Sequence, residues 1–151
     1  MTDEVAIIGS FVVIAALLSV VVLATGTYRK SMAFAAAAIT AKPGEPFELI
    51  CGIRLGRWGA ATWPAGRFKL TDEGVSFNCF GLGARAAWVD VKLVGLVKPL
   101  NQLGWGVRFS IRNRQPDSVI VWLNSRMLAE RVIEACDVHG VPTERKPRVA
   151  L

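Results

Sequence analysis

The chain has 151 residues, with 18 Lys and Arg against 12 Asp and Glu, a formal net charge of +6 and three cysteines. That length holds one compact domain beside an N-terminal apolar stretch, not two. Cys51, Cys79 and Cys136 are odd in number, widely spaced and without a C-x-x-C pair, which excludes a disulfide framework or a zinc site built on cysteines and fits a reducing compartment.

Val5–Leu23 carries no charged residue. At about 1.5 Å per residue it reaches roughly 29 Å, close to the ~30 Å of a bilayer's hydrocarbon core. A cleaved leader would expect a basic start and a shorter apolar run, whereas this chain begins with Asp3 and Glu4. The expectation is a transmembrane helix over 5–27 behind an extracytoplasmic 1–4. Tyr28, Arg29 and Lys30 follow as its flank, and positive charge after the span predicts a single-pass inner-membrane protein with its N-terminus out and the remainder cytoplasmic. Setting aside Asp3 and Glu4 leaves 18 basic against 10 acidic residues, a balance suited to an anionic neighbour.

Ser31–Ala41 is rich in alanine and predicts a juxtamembrane helix within 28–42, with Gly26 as the place for a bend. Lys42-Pro43-Gly44 ends it and marks a domain boundary. The period then changes to two. Phe47, Leu49, Cys51 and Ile53 alternate with polar or small residues, as do Phe68 and Leu70, and then Val75, Phe77 and Cys79 after the turn Asp72-Glu73-Gly74. Phe80 falls on the polar side, where a ring needs partial cover, and Gly81-Leu82-Gly83 reads as a loop. Ala87–Val97 is apolar on both faces. Val107, Phe109 and Ile111 form the next strand and Val119–Leu123 the one after it.

Asn124 is placed to cap a final helix, on which Leu128, Val132, Ala135, Cys136 and His139 recur at helical spacing. Gly140 and Pro142 stop it. Residues 142–151 read as a basic tail, leaving 43–141 as the domain. Six or seven short antiparallel strands cannot all hide their edges in an open sheet, so they are expected to curl, with the helix across one end.

That order, and the stretch Gly66-Arg67-Phe68-Lys69-Leu70-Thr71-Asp72-Glu73-Gly74-Val75-Ser76-Phe77 followed by Trp88-Val89-Asp90-Val91, resembles the pleckstrin-homology-like superfold, in particular its GRAM and bacterial PH-like branches. The resemblance implies an α+β domain: a curled antiparallel sheet of about seven strands with a C-terminal capping helix, behind the N-terminal transmembrane helix. It implies an interaction module. The basic spacing of phosphoinositide-binding relatives is not matched by Arg54, Arg57, Arg67 and Lys69.

Signals for chemistry are absent. The one histidine lacks a partner at catalytic spacing and is read as a core or helix-terminal residue. Gly81-Leu82-Gly83 and Gly104-Trp105-Gly106 are isolated G-x-G pairs without a phosphate-loop context. No enzyme activity, cofactor or metal is expected. The candidate contact residues are Arg54, Arg57, Trp58, Trp63, Arg67 and Lys69, two tryptophans in a Gly/Pro/Ala loop between basic ends. They suit a protein hot spot or anionic phospholipid headgroups. Arg108, Arg112 and Arg114 with Trp105 form a second basic stripe. Nucleic acid is not expected, for want of a recognition helix or an RNP-like motif. The function expected is a membrane-anchored, non-catalytic adaptor or accessory subunit whose partners are the bilayer and another membrane or cytoplasmic protein. The alternative is a docking domain for anionic lipid.

Overall fold

The computed structural model describes residues 2–56, 59–99 and 104–150, with side chains from Ala15 onward except those of Ala61, Pro99, Val149 and Ala150. A long helix α1 (Thr2–Thr40) precedes β1 (Phe47–Leu55), β2 (Gly59–Thr71), β3 (Gly74–Cys79) and β4 (Leu82–Ala87). A single 3₁₀ turn (Trp88–Asp90) leads to β5 (Val91–Pro99), β6 (Trp105–Ile111), β7 (Ser118–Leu123), α2 (Arg126–Val138) and β8 (Thr143–Ala150).

The strands make one eight-stranded sheet in the order β4-β3-β2-β1-β7-β6-β5-β8. Its curl follows from three phenylalanines. Adjacent strands lie about 4.8 Å apart, so β3 and β6, four places apart, would stand roughly 19 Å apart in a flat sheet. Phe77 on β3 and Phe109 on β6 nonetheless meet at 5.1 Å between ring centres, and Phe68 on β2 lies 5.6 Å from the first and 5.4 Å from the second. The sheet therefore closes over its own apolar face. Leu128, Ala129, Val132, Ile133, Ala135 and Cys136 of α2 are buried in the same core, so the helix lies across the opening.

Several expectations are corrected here. The sheet has eight strands and is mixed, not an antiparallel sheet of about seven, because β8 runs parallel to β5. The basic residues read as a tail form that strand: the chain turns at Gly140–Pro142, and the Val94 N–H donates to the Pro142 carbonyl at 3.0 Å. Leu82–Ala87 (L-G-A-R-A-A) is a strand although its small side chains carry no period-two signal. The residue before α2 is Ser125, without a side-chain capping bond, and not Asn124.

The membrane-spanning expectation is overturned as well. Among the described residues no helix is long and apolar enough to cross a membrane. From Ala15 the apolar run ends at Ala24, about 15 Å of helix, half of a hydrocarbon core; Val5–Ile14 lies outside the residues whose side chains are described. The single-pass inner-membrane topology and the bilayer as partner fall with it. α1 runs without interruption through Gly26, the place expected for a bend. Leu17, Leu18 and 20–23 are exposed.

The second half of α1 docks on the domain through Ala38 (0% exposed) and Ser31 (7%). Its C-terminal end is held by Arg131 of α2, whose guanidinium donates to the Ala38 carbonyl at 3.2 Å and to the Ala41 carbonyl, and pairs with Glu134 at 3.2 Å. A cation at this position offsets the partial negative charge of the helix end.

Candidate interaction surfaces

The residues singled out in the sequence separate into distinct places. Arg57 and Trp58 lie outside the described residues. Arg54 is exposed on β1, between Ala60 of β2 and Ile120 of β7. Trp63 sits in a bulge of β2: Cys51 pairs with Gly66 and Ile53 with Ala61, so four residues of β2 oppose Gly52 alone. The bulge carries Trp63 toward α1, where its ring meets Tyr28 edge-on at 6.4 Å and its Nε1–H donates to Ser31 Oγ at 3.2 Å. Tyr28, read as a membrane flank, is thus a docking residue of α1. Arg29 and Lys30 are exposed.

Arg67 and Lys69 occupy the outer face of β2. Arg67 is paired with Glu48 at 3.5 Å. In the next outward row, Lys69 is in register with Ser76 of β3, and Ser76 with Arg85 of β4. Beyond that row stand Gly74 and Ala87, too small to fill the surface, which leaves a cleft of about 300 Å3 lined by Lys69, Thr71, Glu73, Ser76 and Arg85. Among the described residues neither Lys69 nor Arg85 has an ion-pair partner.

The β3–β4 hairpin turns through Phe80 and Gly81, with φ of 50° and 81°. Two positive φ values are the signature of a tight hairpin turn that favours Asn and Gly. A phenylalanine there costs of order 1–3 kcal/mol in backbone strain. The ring is 78% exposed, and Leu82 beside it 58%. The partial cover expected for Phe80 is not supplied by the described part of the chain.

The second basic stripe does not assemble. The Arg108 Nε is buried and has no hydrogen-bond partner among the described residues, while Trp105 lies under Lys98 and Arg126 at 5.7 and 5.1 Å. Arg114 reaches the far edge of the sheet, donating to the Arg85 carbonyl at 2.9 Å and pairing with Asp90 at 3.4 Å.

His139 stacks on Trp88 at 4.3 Å, and its buried Nε2 has no partner among the described residues. Trp88 in turn donates to the carbonyls of Thr71 at 3.1 Å and Asp72 at 3.0 Å, pinning the 3₁₀ turn to the β2–β3 hairpin. Burial pushes the Cys136 thiol up to about 12 and raises that of Cys51 as well. Such thiols are protonated at neutral pH and poor nucleophiles.

Asp137 ties β8 to α2. It accepts hydrogen bonds from Thr143 Oγ1 and, at 2.6 Å, from Arg145 Nη2. The Thr143 hydroxyl first, and the Arg145 guanidinium with it, hold the carboxyl below its ordinary 3.8 against the opposing pull of partial burial. A lowered folded value means that the contribution is complete above about 3.8 and is lost as pH falls through the folded pKa beneath it. Amide exchange in Thr143–Arg148 is therefore expected to quicken below pH 3.8 before the sheet core opens. Asp137→Asn should produce the same local release at neutral pH. Unchanged protection of β8 in that variant would show that the carboxylate does not hold the strand.

No protein-family model matches this chain, and no curated protein matches it in sequence. It is similar to the solved structure of the Spt16D Pob3N heterodimer, with a TM-score of 0.51 and 12% identity. The match covers 71% of this chain and 56% of that one, so the chain spans little more than half the length of the structure it matches. At that identity the likeness concerns the fold alone, and the fold is pleckstrin-homology-like.

Proposed function

We propose that this chain is a non-catalytic interaction module of the GRAM-like kind within the pleckstrin-homology-like superfold, serving as an adaptor or accessory subunit that docks a protein partner. The observation that carries this reading is the β3–β4 hairpin. It holds a 78%-exposed phenylalanine in a left-handed turn at one end, and at the other it borders a cleft whose Lys69 and Arg85 are without ion-pair partners among the described residues. Strain retained at an exposed aromatic residue fits a recognition role, since the described part of the chain leaves most of Phe80 uncovered. The exposed apolar side chains between Leu17 and Leu23 also need cover from a partner. The GRAM-like assignment is supported by the hairpin sequence 66–77. The absence of catalysis is supported by the protonated, buried thiols of Cys51 and Cys136 and by the stacked position of His139. The solved structure to which the chain is similar is itself a heterodimer of two proteins, a further point in favour of a protein partner.

The test is site-specific photocrosslinking of the full chain in its native cells, with benzoylphenylalanine at Phe80, Val89, Met127 or Arg145 in turn, all exposed positions. Reproducible crosslinking to one protein is expected from at least one of them. A folded chain that crosslinks to no protein from any position would refute the adaptor reading.

A further inference from the structure

We propose that the outer edge of β4 takes up an extended segment of the partner protein in which acidic and apolar residues alternate. The proposal rests on the protein-interaction reading above and adds where the partner docks and by what chemistry.

β4 ends the sheet, pairing with β3 alone. In a hairpin closed by two residues, the closing pair Cys79–Leu82 is hydrogen-bonded, so Gly83, Arg85 and Ala87 direct their N–H and C=O groups away from β3. The contact from Arg114 agrees with this: its guanidinium donates to the Arg85 carbonyl at 2.9 Å, from outside the sheet. Two of the usual protections of an edge, a proline and a bulge, are missing, since L-G-A-R-A-A contains no proline and its register with β3 is unbroken. One arginine covers one carbonyl, and no other hydrogen bond from the described residues reaches that edge.

The two faces of that edge differ in chemistry. Leu82, Ala84 and Ala86 are in register with Cys79, Phe77 and Val75 on the core side. Arg85 lies on the outer side, with Lys69 two strands in and Arg114 at the margin. Side chains of an added strand alternate between faces with period two. Apolar residues would extend the core beside Leu82 and meet Phe80, while the intervening carboxylates would face Arg85. An incoming N–H would take the Arg85 carbonyl from Arg114, freeing its Nη1 for a carboxylate of the same segment while Nη2 stays on Asp90. Main-chain hydrogen bonds then supply affinity and the alternating pockets supply specificity.

The experiment uses the purified full chain and a fluorescent eight-residue peptide alternating Glu and Val, followed by anisotropy. Saturable binding is expected, weakened at least about tenfold by Arg85→Glu and by Phe80→Asn. Asparagine suits the left-handed turn, so the second variant keeps the hairpin folded. Binding should vanish for a peptide N-methylated at alternate residues and for one with the same composition in two blocks. No saturable binding, equal binding of the N-methylated peptide, or indifference to both variants would overturn the proposal. So would retention on acidic phospholipid vesicles that Arg85→Glu abolishes while the peptide does not bind, which would assign this face to headgroups. If the peptide fails but a protein still crosslinks from Met127 or Arg145, the adaptor reading stands and only the β4 assignment falls.

Discussion

Replacing Phe109 by alanine is expected to remove about 3–5 kcal/mol of stability, the usual cost of deleting a fully buried aromatic ring. Phe109 is 0% exposed and touches Phe68 and Phe77 at ring-centre distances of 5.4 and 5.1 Å. These contacts join the two halves of the curled sheet, so the loss combines transfer of the ring, a cavity and the edge-on geometry with Phe77. Domains of this size are stable by about 5–15 kcal/mol, so a fifth or more of that margin would go. Urea unfolding followed by Trp fluorescence measures it, with Phe109→Leu expected to lose less because it refills part of the space. A loss below about 1 kcal/mol for the alanine variant would mean that the ring is not central to the core.

Arg131→Met is expected to cost about 1.5–3 kcal/mol, in line with losing hydrogen bonds from a charged donor. The variant keeps an unbranched apolar stem but leaves the carbonyls of Ala38 and Ala41 without their donor beside a buried helix surface. The consequence reaches beyond stability. Arg131 is a clamp on the C-terminal end of α1, so amide exchange between Tyr28 and Ala41 should rise, and the Trp63 emission should shift as its contacts with Tyr28 and Ser31 loosen. Arg131→Lys should not restore the wild-type behaviour, because a single ammonium cannot reproduce a planar fork reaching two carbonyls. An unchanged unfolding midpoint together with unchanged exchange in α1 would show that the helix is held by apolar packing alone.

Local patterning carried much of this domain. Period-two alternation around Phe47, Phe68, Phe77 and Phe109 marked four strands, the β-branched run at Val119 a fifth, and the stripe from Leu128 to Cys136 the last helix. Each needs only one apolar face to be visible. β4 escaped because glycine and alanine leave no alternation to read, and β8 because Thr143–Arg148 presents polar or charged side chains along a strand held by backbone pairing and by Asp137. The stretch 59–66 was read as a loop for the same reason: Trp63 and Pro64 interrupt the period at a bulge, and nothing local reveals a bulge.

Among the candidate contact residues, Lys69 was visible from charge alone, but its association with Arg85 was not. The two lie sixteen positions apart in the chain and meet only through the register of β2, β3 and β4. Phe80 was visible as a ring on the wrong side of a strand, and its exposure in the folded chain turns that irregularity into a candidate anchor.

Residue types and their spacing were enough to establish the strand-rich class, the closing helix and the lack of catalytic motifs, because alternation and helical period are properties of neighbouring residues. Folding settled the rest. Whether Trp63 faces a partner or α1, whether the C-terminal basic residues hang free or join β5, and whether Arg114 reaches β4 all depend on strand order and register. Those follow from which apolar faces can close over one another, a global packing condition that no short window of sequence contains.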